Sequence, residues 1–382
     1  MGFKGTRSQS VGKQINSWRN RDAFGRQEVD NTRLDSVWEQ NKFTPLSFEA
    51  TGGDQSPEAG LAPGNGYKYH VFDSPGTLAV TSGTDSSGKT CEVLGLGGSG
   101  GGGEGWYGGG GGGGGLALHP ALPVASGDHT IVVGEGGAAN TGDGEHSVFG
   151  APATGPFPTV CLIAIGGGHG GPRDASSEIG GCGGGTGLPH TTHPVPGPVS
   201  PFPSVLGVQT STTYAPYANN PTAGGGQLAV PAISVSYGHG CPGAIPAYGS
   251  GGGGTGPMDP TYPVGDPGGI GGRANPGPTG PPAFSGGHGL RCPGFEYPLV
   301  GLSPLDPLSP TNNQYGGGGG GAGFSAPKPF LGGYGGGGKG DQGPGAQTAG
   351  TNKLGGGGGG AYGDGVAGKA GGDGIVIIRY LA

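Results

Sequence analysis

The sequence predicts a mainly β protein in which glycine helices are bundled side by side and clamped by conventional strands. Three observations carry this expectation. Glycine supplies 102 and proline 37 of the 382 residues, and each interior Gly costs a helix about 1 kcal/mol and each Pro about 3 kcal/mol relative to Ala. Short runs rich in β-branched and aromatic residues recur, bracketed by turn residues. Runs of pure glycine follow directly from several of them.

The first segment differs from the rest. Its first 42 residues carry eight Lys or Arg (Lys4, Arg7, Lys13, Arg19, Arg21, Arg26, Arg33, Lys42) against five acids, whereas the whole chain has a net charge of −7. Glycine is sparse before Thr51-Gly52-Gly53, which sets the boundary of an N-terminal part, residues 1–50. A short helix is expected within residues 16–42, with Leu34, Val37 and Trp38 at i, i+3, i+4 spacing. An isolated helix of that length is marginal in water. Trp18, Leu34, Val37 and Trp38 are therefore candidate docking residues, covered by the rest of the chain or by a partner protein.

From Gly66 onward, strands are expected at Tyr67–Phe72, Thr77–Thr81, Thr90–Leu96, His129–Val133, Ser147–Phe149, Thr159–Ile165, Gln227–Tyr237 and Ile375–Tyr380. The turn Asp73-Ser74-Pro75-Gly76 joins the first two as a hairpin. Residues 51–165 thus hold the strands with the first glycine rods, residues 166–374 hold further rods with proline-rich loops, and residues 375–382 form a closing strand.

The glycine runs include Gly108–Gly115, Gly316–Gly321 and Gly355–Gly360. They contain almost no serine, recur many times and follow strong strand signals, which sets them apart from a flexible tether. The ordered alternative is the polyproline-II helix, with three residues per turn. Without side chains, neighbouring rods approach until N–H on one meets C=O on the next, as buried backbone requires. Ordering the backbone costs roughly 1–2 kcal/mol per residue. Hydrogen bonds return about 0.5–1.5 kcal/mol each and Cα–H···O contacts about 0.5–1 kcal/mol. Such rods are stable only as a bundle held by a conventional core.

Motifs for catalysis are weak. Gly83-Thr84-Asp85-Ser86-Ser87-Gly88-Lys89-Thr90 matches the phosphate-loop pattern, but that chemistry needs a helix starting at Lys-Thr. Here Cys91–Leu96 reads as a strand, so the segment is expected to be a hairpin turn. His190-Thr191-Thr192-His193 lies between prolines, without a neighbouring cysteine or carboxylate, and reads as loop. The five cysteines (Cys91, Cys161, Cys182, Cys241, Cys292) follow no zinc or disulfide spacing and read as buried thiols. No enzymatic activity, cofactor or metal is expected. The negative net charge gives no case for nucleic acid. The polar start and the lack of any stretch near 18 apolar residues give none for export by a signal peptide or for membrane insertion.

What remains is recognition. Proline-rich segments carry Tyr214, Tyr217, Tyr262, Phe295, Tyr297 and Tyr315, and Trp106-Tyr107 interrupts the longest glycine stretch. These are candidate receptor-contact residues, because rigid aromatics give large contact area at low ordering cost. The alternative is that they cap and pack the rod ends.

Several of these residues, taken in order, resemble a known family. Gly66-Tyr67-Lys68-Tyr69-His70-Val71-Phe72, Gly76-Thr77-Leu78-Ala79-Val80, His129-Thr130-Ile131-Val132-Val133-Gly134, Ser147-Val148-Phe149-Gly150 and Gly371-Gly372-Asp373-Gly374-Ile375-Val376-Ile377-Ile378-Arg379-Tyr380 resemble the glycine-rich domain of bacteriophage tail-fibre and related virion proteins. The order is also similar to the glycine-rich region of ectodomains of the anaplastic lymphoma kinase type. The resemblance implies a small jelly-roll-like β-sandwich carrying a polyglycine-II helix bundle. It further implies a non-enzymatic virion tail component, assembled in the host cytoplasm. Residues 1–50 would then meet other virion proteins, the loops would meet a host receptor (protein or glycan), and a homotrimer is a candidate assembly. A capsid or baseplate decoration protein is the alternative.

Overall fold

The computed structural model describes residues 47–151, 162–173, 180–185, 187, 237–239, 251–255, 285–303, 313–323, 330–341, 343 and 345–382. The chain divides into two compact units, Met1–Leu46 and Ser47–Ala382. The expected helix within residues 16–42 lies outside the described residues.

The second unit is mainly β, with several antiparallel sheets. One sheet of five strands has the order β1 (Glu49–Thr51), β3 (Gly76–Ser82), β6 (Gly127–Val132), β7 (Ser147–Ala151), β8 (Leu162–Ala164). The other has the order β2 (Tyr67–Phe72), β12 (Ile375–Leu381), β4 (Cys91–Leu96), β5 (Leu116–Leu122), β9 (Tyr237–His239). A short ladder pairs β10 (Leu290–Arg291) with β11 (Gln314–Tyr315).

Alternation along the strands divides the core in two. From β12, Val376, Ile378 and Tyr380 enter a cluster with Leu78, Ile131 and Phe149 of the other sheet. Ile375 and Ile377 point the opposite way, towards Phe295, Tyr297, Val300 and Tyr315. A strand covered on both faces reads as the unbroken apolar run Ile375-Val376-Ile377-Ile378, where a half-exposed strand would alternate. Arg379 fastens the second layer. Its guanidinium bonds Glu92 at 2.6 Å and the Gly294 carbonyl at 2.7 Å, and lies over the rings of Tyr67 and Phe295.

Two turns differ from expectation. Asp73-Ser74-Pro75-Gly76 does not close a hairpin, because β2 and β3 belong to different sheets. The Asp54 carboxylate holds the crossing by accepting from the Asp73 and Ser74 amides and the Ser74 hydroxyl. Residues 83–90 are likewise no hairpin turn. They form one helical turn, α1 (Thr84–Ser87), stopped by Gly88 in the left-handed region, and cross from β3 to β4. Because α1 ends before Lys89, no helix N-terminus faces the Lys-Thr pair, and the phosphate-loop geometry is absent.

Between the strands the glycine tracts bond to one another with a period of three. Gly97, Gly100 and Gly103 donate to the carbonyls of Gly115, Gly112 and Gly109. Gly98 and Gly101 donate to Glu145 and Gly142, and Ser99, Gly102 and Gly105 to Gly372, Lys369 and Val366. An α-helix would bond within itself and a strand would alternate between two neighbours. Tract 108–115 donates to three segments (355–361, 165–171 and 251–255) and accepts from three more (97–103, 180–185 and 316–322). Its glycines are fully enclosed, and a Cβ on Gly111 would lie 2.0 Å from the Gly100 carbonyl oxygen. Ser99 is the exception within its tract. Its buried hydroxyl fills a bonding position, donating to the Gly356 carbonyl at 2.5 Å and accepting from the Gly372 amide at 2.7 Å.

His70 links the core to acid stability. It is fully buried, with Nδ1 at 2.7 Å from the Gly52 carbonyl oxygen and Nε2 at 3.0 Å from the Tyr380 hydroxyl. Burial pushes its pKa below the usual histidine value, only partly opposed by the Gly52 carbonyl. In the unfolded chain His70 takes up a proton near pH 6.5. The folded state resists that proton, so stability is full above about pH 6.5 and declines as pH falls towards the folded pKa. Burial depresses His119 and His146 in the same direction. The melting temperature should therefore fall between pH 7.5 and pH 5, with a shallower slope in His70→Gln. An unchanged slope in that variant would remove His70 from this account.

Candidate functional site

Among the described residues, three short turns at the ends of tracts, 104–107, 138–142 and 363–368, are bonded to one another. Tract 97–103 leaves β4, turns through Glu104-Gly105-Trp106-Tyr107 and returns as 108–115. Tyr107 has a φ of 60°, a left-handed conformation uncommon for a bulky residue. Gly105 donates to the Val366 carbonyl, Asn140 to the Gly102 carbonyl, and Gly368 to the Asn140 side chain. Three separate turns thus form one surface.

Tyr362 occupies its centre. Trp106 meets it perpendicularly with ring centroids 4.8 Å apart, and Tyr107 does so at 5.2 Å. Burial and the neighbouring Tyr107 hydroxyl push the Tyr362 phenol up to about 12, so it is a neutral donor at ordinary pH. Beside it the buried Asp341 carboxylate accepts from the amides of Gly343, Gly345, Ala346 and Tyr362. These bonds replace the water the carboxylate has lost. Gln347 follows at once. It is 6% exposed, its Nε2 donates to the Ala367 carbonyl at 2.9 Å, and its Oε1 has no partner.

Of the candidate receptor-contact residues, Trp106 and Tyr107 lie at this surface, each half-buried. Phe295, Tyr297 and Tyr315 do not display. They are 1%, 1% and 0% exposed, in the layer that covers the second sheet. That sheet has apolar side chains on both faces and needs a cover, and these rings supply it. Tyr214, Tyr217 and Tyr262 lie outside the described residues, as do the docking candidates Trp18, Leu34, Val37 and Trp38 and the His190–His193 pair. Sequence reasoning missed Tyr362, Asp341 and Gln347. An aromatic ending a glycine run, Ala361-Tyr362-Gly363, was the available signal, and it repeats the logic of Trp106-Tyr107.

Among the described residues no group of His, Cys, Asp and Glu could hold a metal ion, and no helix is long and apolar enough to cross a membrane. Cys91, Cys182 and Cys292 are buried. Burial raises the Cys91 and Cys292 thiols to about 12, far from the range of a reactive thiolate.

The glycine-rich domain family matches residues 73–381, and the chain belongs to that family. The match begins at the β2–β3 crossing and ends with β12, so it takes in every described strand except β1 and β2, together with the tracts between them. No curated protein matches the chain.

Proposed function

We propose that the chain is a non-enzymatic display platform of a phage virion, a tail-fibre or tail-tip component that presents loops to a host-surface receptor. The two facing sheets act as a small jelly-roll-like β-sandwich, and the tracts between the strands as a polyglycine-II helix bundle. The observation that carries this reading is the threefold bonding of enclosed tracts, which supports stiff rods ending in the loop surface around Tyr362. A rigid scaffold carrying loops is the usual seat of recognition. The virion assignment rests on the resemblance in strand order to glycine-rich virion domains, and the family match is compatible with it. Residues 1–46 serve as the docking segment to other virion proteins.

The test uses the purified full chain and the bacterium infected by particles that carry it. The soluble chain should bind those cells and reduce infection by competition. A decoration protein contacting only other virion proteins would leave infection unchanged, and that result would overturn the display reading. Removing residues 1–46 should abolish incorporation into particles without lowering the melting temperature of the remainder.

A further inference from the structure

We infer that Asp364 modifies itself: the Gly365 amide nitrogen closes on its side chain to a succinimide, and water reopens the ring to isoaspartate. The inference stands apart from the display reading, because it concerns the chain's own chemistry and requires no receptor.

The reaction needs only what the chain and water supply. The Gly365 nitrogen bonds to Asp364 Cγ, a Cγ–O bond breaks, and the oxygen leaves as water with one proton from the amide and one from the carboxyl group. A second water then adds at either ring carbonyl. Opening at the main-chain carbonyl leaves the chain running through the side-chain carbon, an isoaspartate of equal mass with one more methylene in the backbone. A following glycine favours the attack, because it has no side chain in the way and adopts conformations closed to other residues.

Four dipeptides in the sequence have this form: Asn65-Gly66, Asp143-Gly144, Asp364-Gly365 and Asp373-Gly374. Closure requires a side chain free to turn onto the next nitrogen and a nitrogen free to give up its proton. The Asp143 carboxylate is held by the His169 ring at 2.7 Å and the His169 amide at 2.9 Å, and the Gly144 amide donates to the Gly167 carbonyl. The Asp373 carboxylate accepts from the Gly136 amide at 2.8 Å, and the Gly374 amide donates to the Gly134 carbonyl. Asn65 is held at both ends of its amide, accepting from the Tyr67 amide and donating to the Tyr69 hydroxyl. Among the described residues, nothing bonds the Asp364 carboxylate or the Gly365 amide. Both residues are exposed, Gly365 has a φ of 67°, and no atom lies within 4 Å of a Cβ there, so the turn has room to open locally.

This turn joins Tyr362, on which Trp106 and Tyr107 pack, to Val366, whose carbonyl accepts from Gly105. A methylene added between them displaces one of the two attachments, which gives the loop surface a limited lifetime in solution.

The full chain is aged at neutral pH, folded and in guanidinium chloride, then digested and followed by mass spectrometry with electron-transfer fragmentation, which separates isoaspartate from aspartate. Unfolded, the three aspartates should convert alike. Folded, Asp364 should keep its unfolded rate while Asp143 and Asp373 slow by about tenfold or more, tenfold being the factor one net hydrogen bond represents. Asp364→Asn gives a second comparison, because ammonia is then the leaving group and hydrolysis raises the mass. In that folded variant the new amide should be lost about tenfold faster than the amide of Asn65. Asp364 slowed as much as Asp143 and Asp373, or all three converting at one rate in the folded chain, overturns the inference. So does an Asp364→Asn amide lost no faster than that of Asn65.

Discussion

Gly111→Ala should lower stability by about 3 kcal/mol, the upper end of what overpacking costs. One methyl group is enough because its obstruction is backbone. The added Cβ would lie 2.0 Å from the Gly100 carbonyl oxygen and 2.6 Å from its carbon, so relief requires moving a tract that is itself bonded on every side. Gly111 also donates to Gly358 and accepts from Gly319, and displacement strains both bonds. Gly343→Ala is the matched control, since no atom lies within 4 Å of a Cβ there. It should change stability by under about 0.5 kcal/mol, the usual range for a surface substitution. Equal, small effects of the two substitutions on the denaturation midpoint would mean that the tracts are not packed.

Deleting residues 375–382 should abolish cooperative folding. The strand β12 lies between β2 and β4, pairing with both over most of its length, so its loss splits one sheet and opens both core clusters. Ile375, Val376, Ile377 and Ile378 are at most 1% exposed. Burial of each such side chain contributes about 1.5–3 kcal/mol. Four of them approach the whole stability of a typical domain, about 5–15 kcal/mol. The truncated chain should show no sigmoidal melt by circular dichroism. A truncated chain that still melts cooperatively near the intact temperature would place the core elsewhere. Ile377→Ala is the milder form and should cost about 2–5 kcal/mol.

Legibility in the sequence followed the presence of side chains. Tyr67–Phe72 and the closing strand were readable because β-branched and aromatic residues fill them. Leu116–Leu122 was not, because Pro120 argues against a strand. The ladder accommodates it at an irregularity, where Cys91 pairs with Leu122 and Val93 with His119. Phe48, Glu49 and Ala50 were assigned to the N-terminal segment, yet Phe48 and Ala50 are buried in the first cluster, which moves the boundary back to Ser47. The hairpin reading of residues 73–76 failed because a short turn fits a sheet crossing as well as a hairpin. Which tract neighbours which was invisible, since glycine carries no side chain to encode register. The strands at the tract ends and hydroxyls such as that of Ser99 set it instead.

The candidate site was half legible. Trp106-Tyr107 was apparent as an aromatic interruption of glycine. Phe295, Tyr297 and Tyr315 looked the same in sequence but face a sheet that needed covering on its second side, a demand visible only once β12 is known to be buried on both faces.

Amide hydrogen exchange of the intact chain is the most direct test of the glycine tracts. If backbone bonds between tracts form a packed interior, amides of residues 97–103, 108–115 and 355–361 should exchange as slowly as those of β4 and β12. Rapid exchange of the tracts while those strands stay protected would contradict the account, and the loops around Tyr362 would then hang on slack tethers.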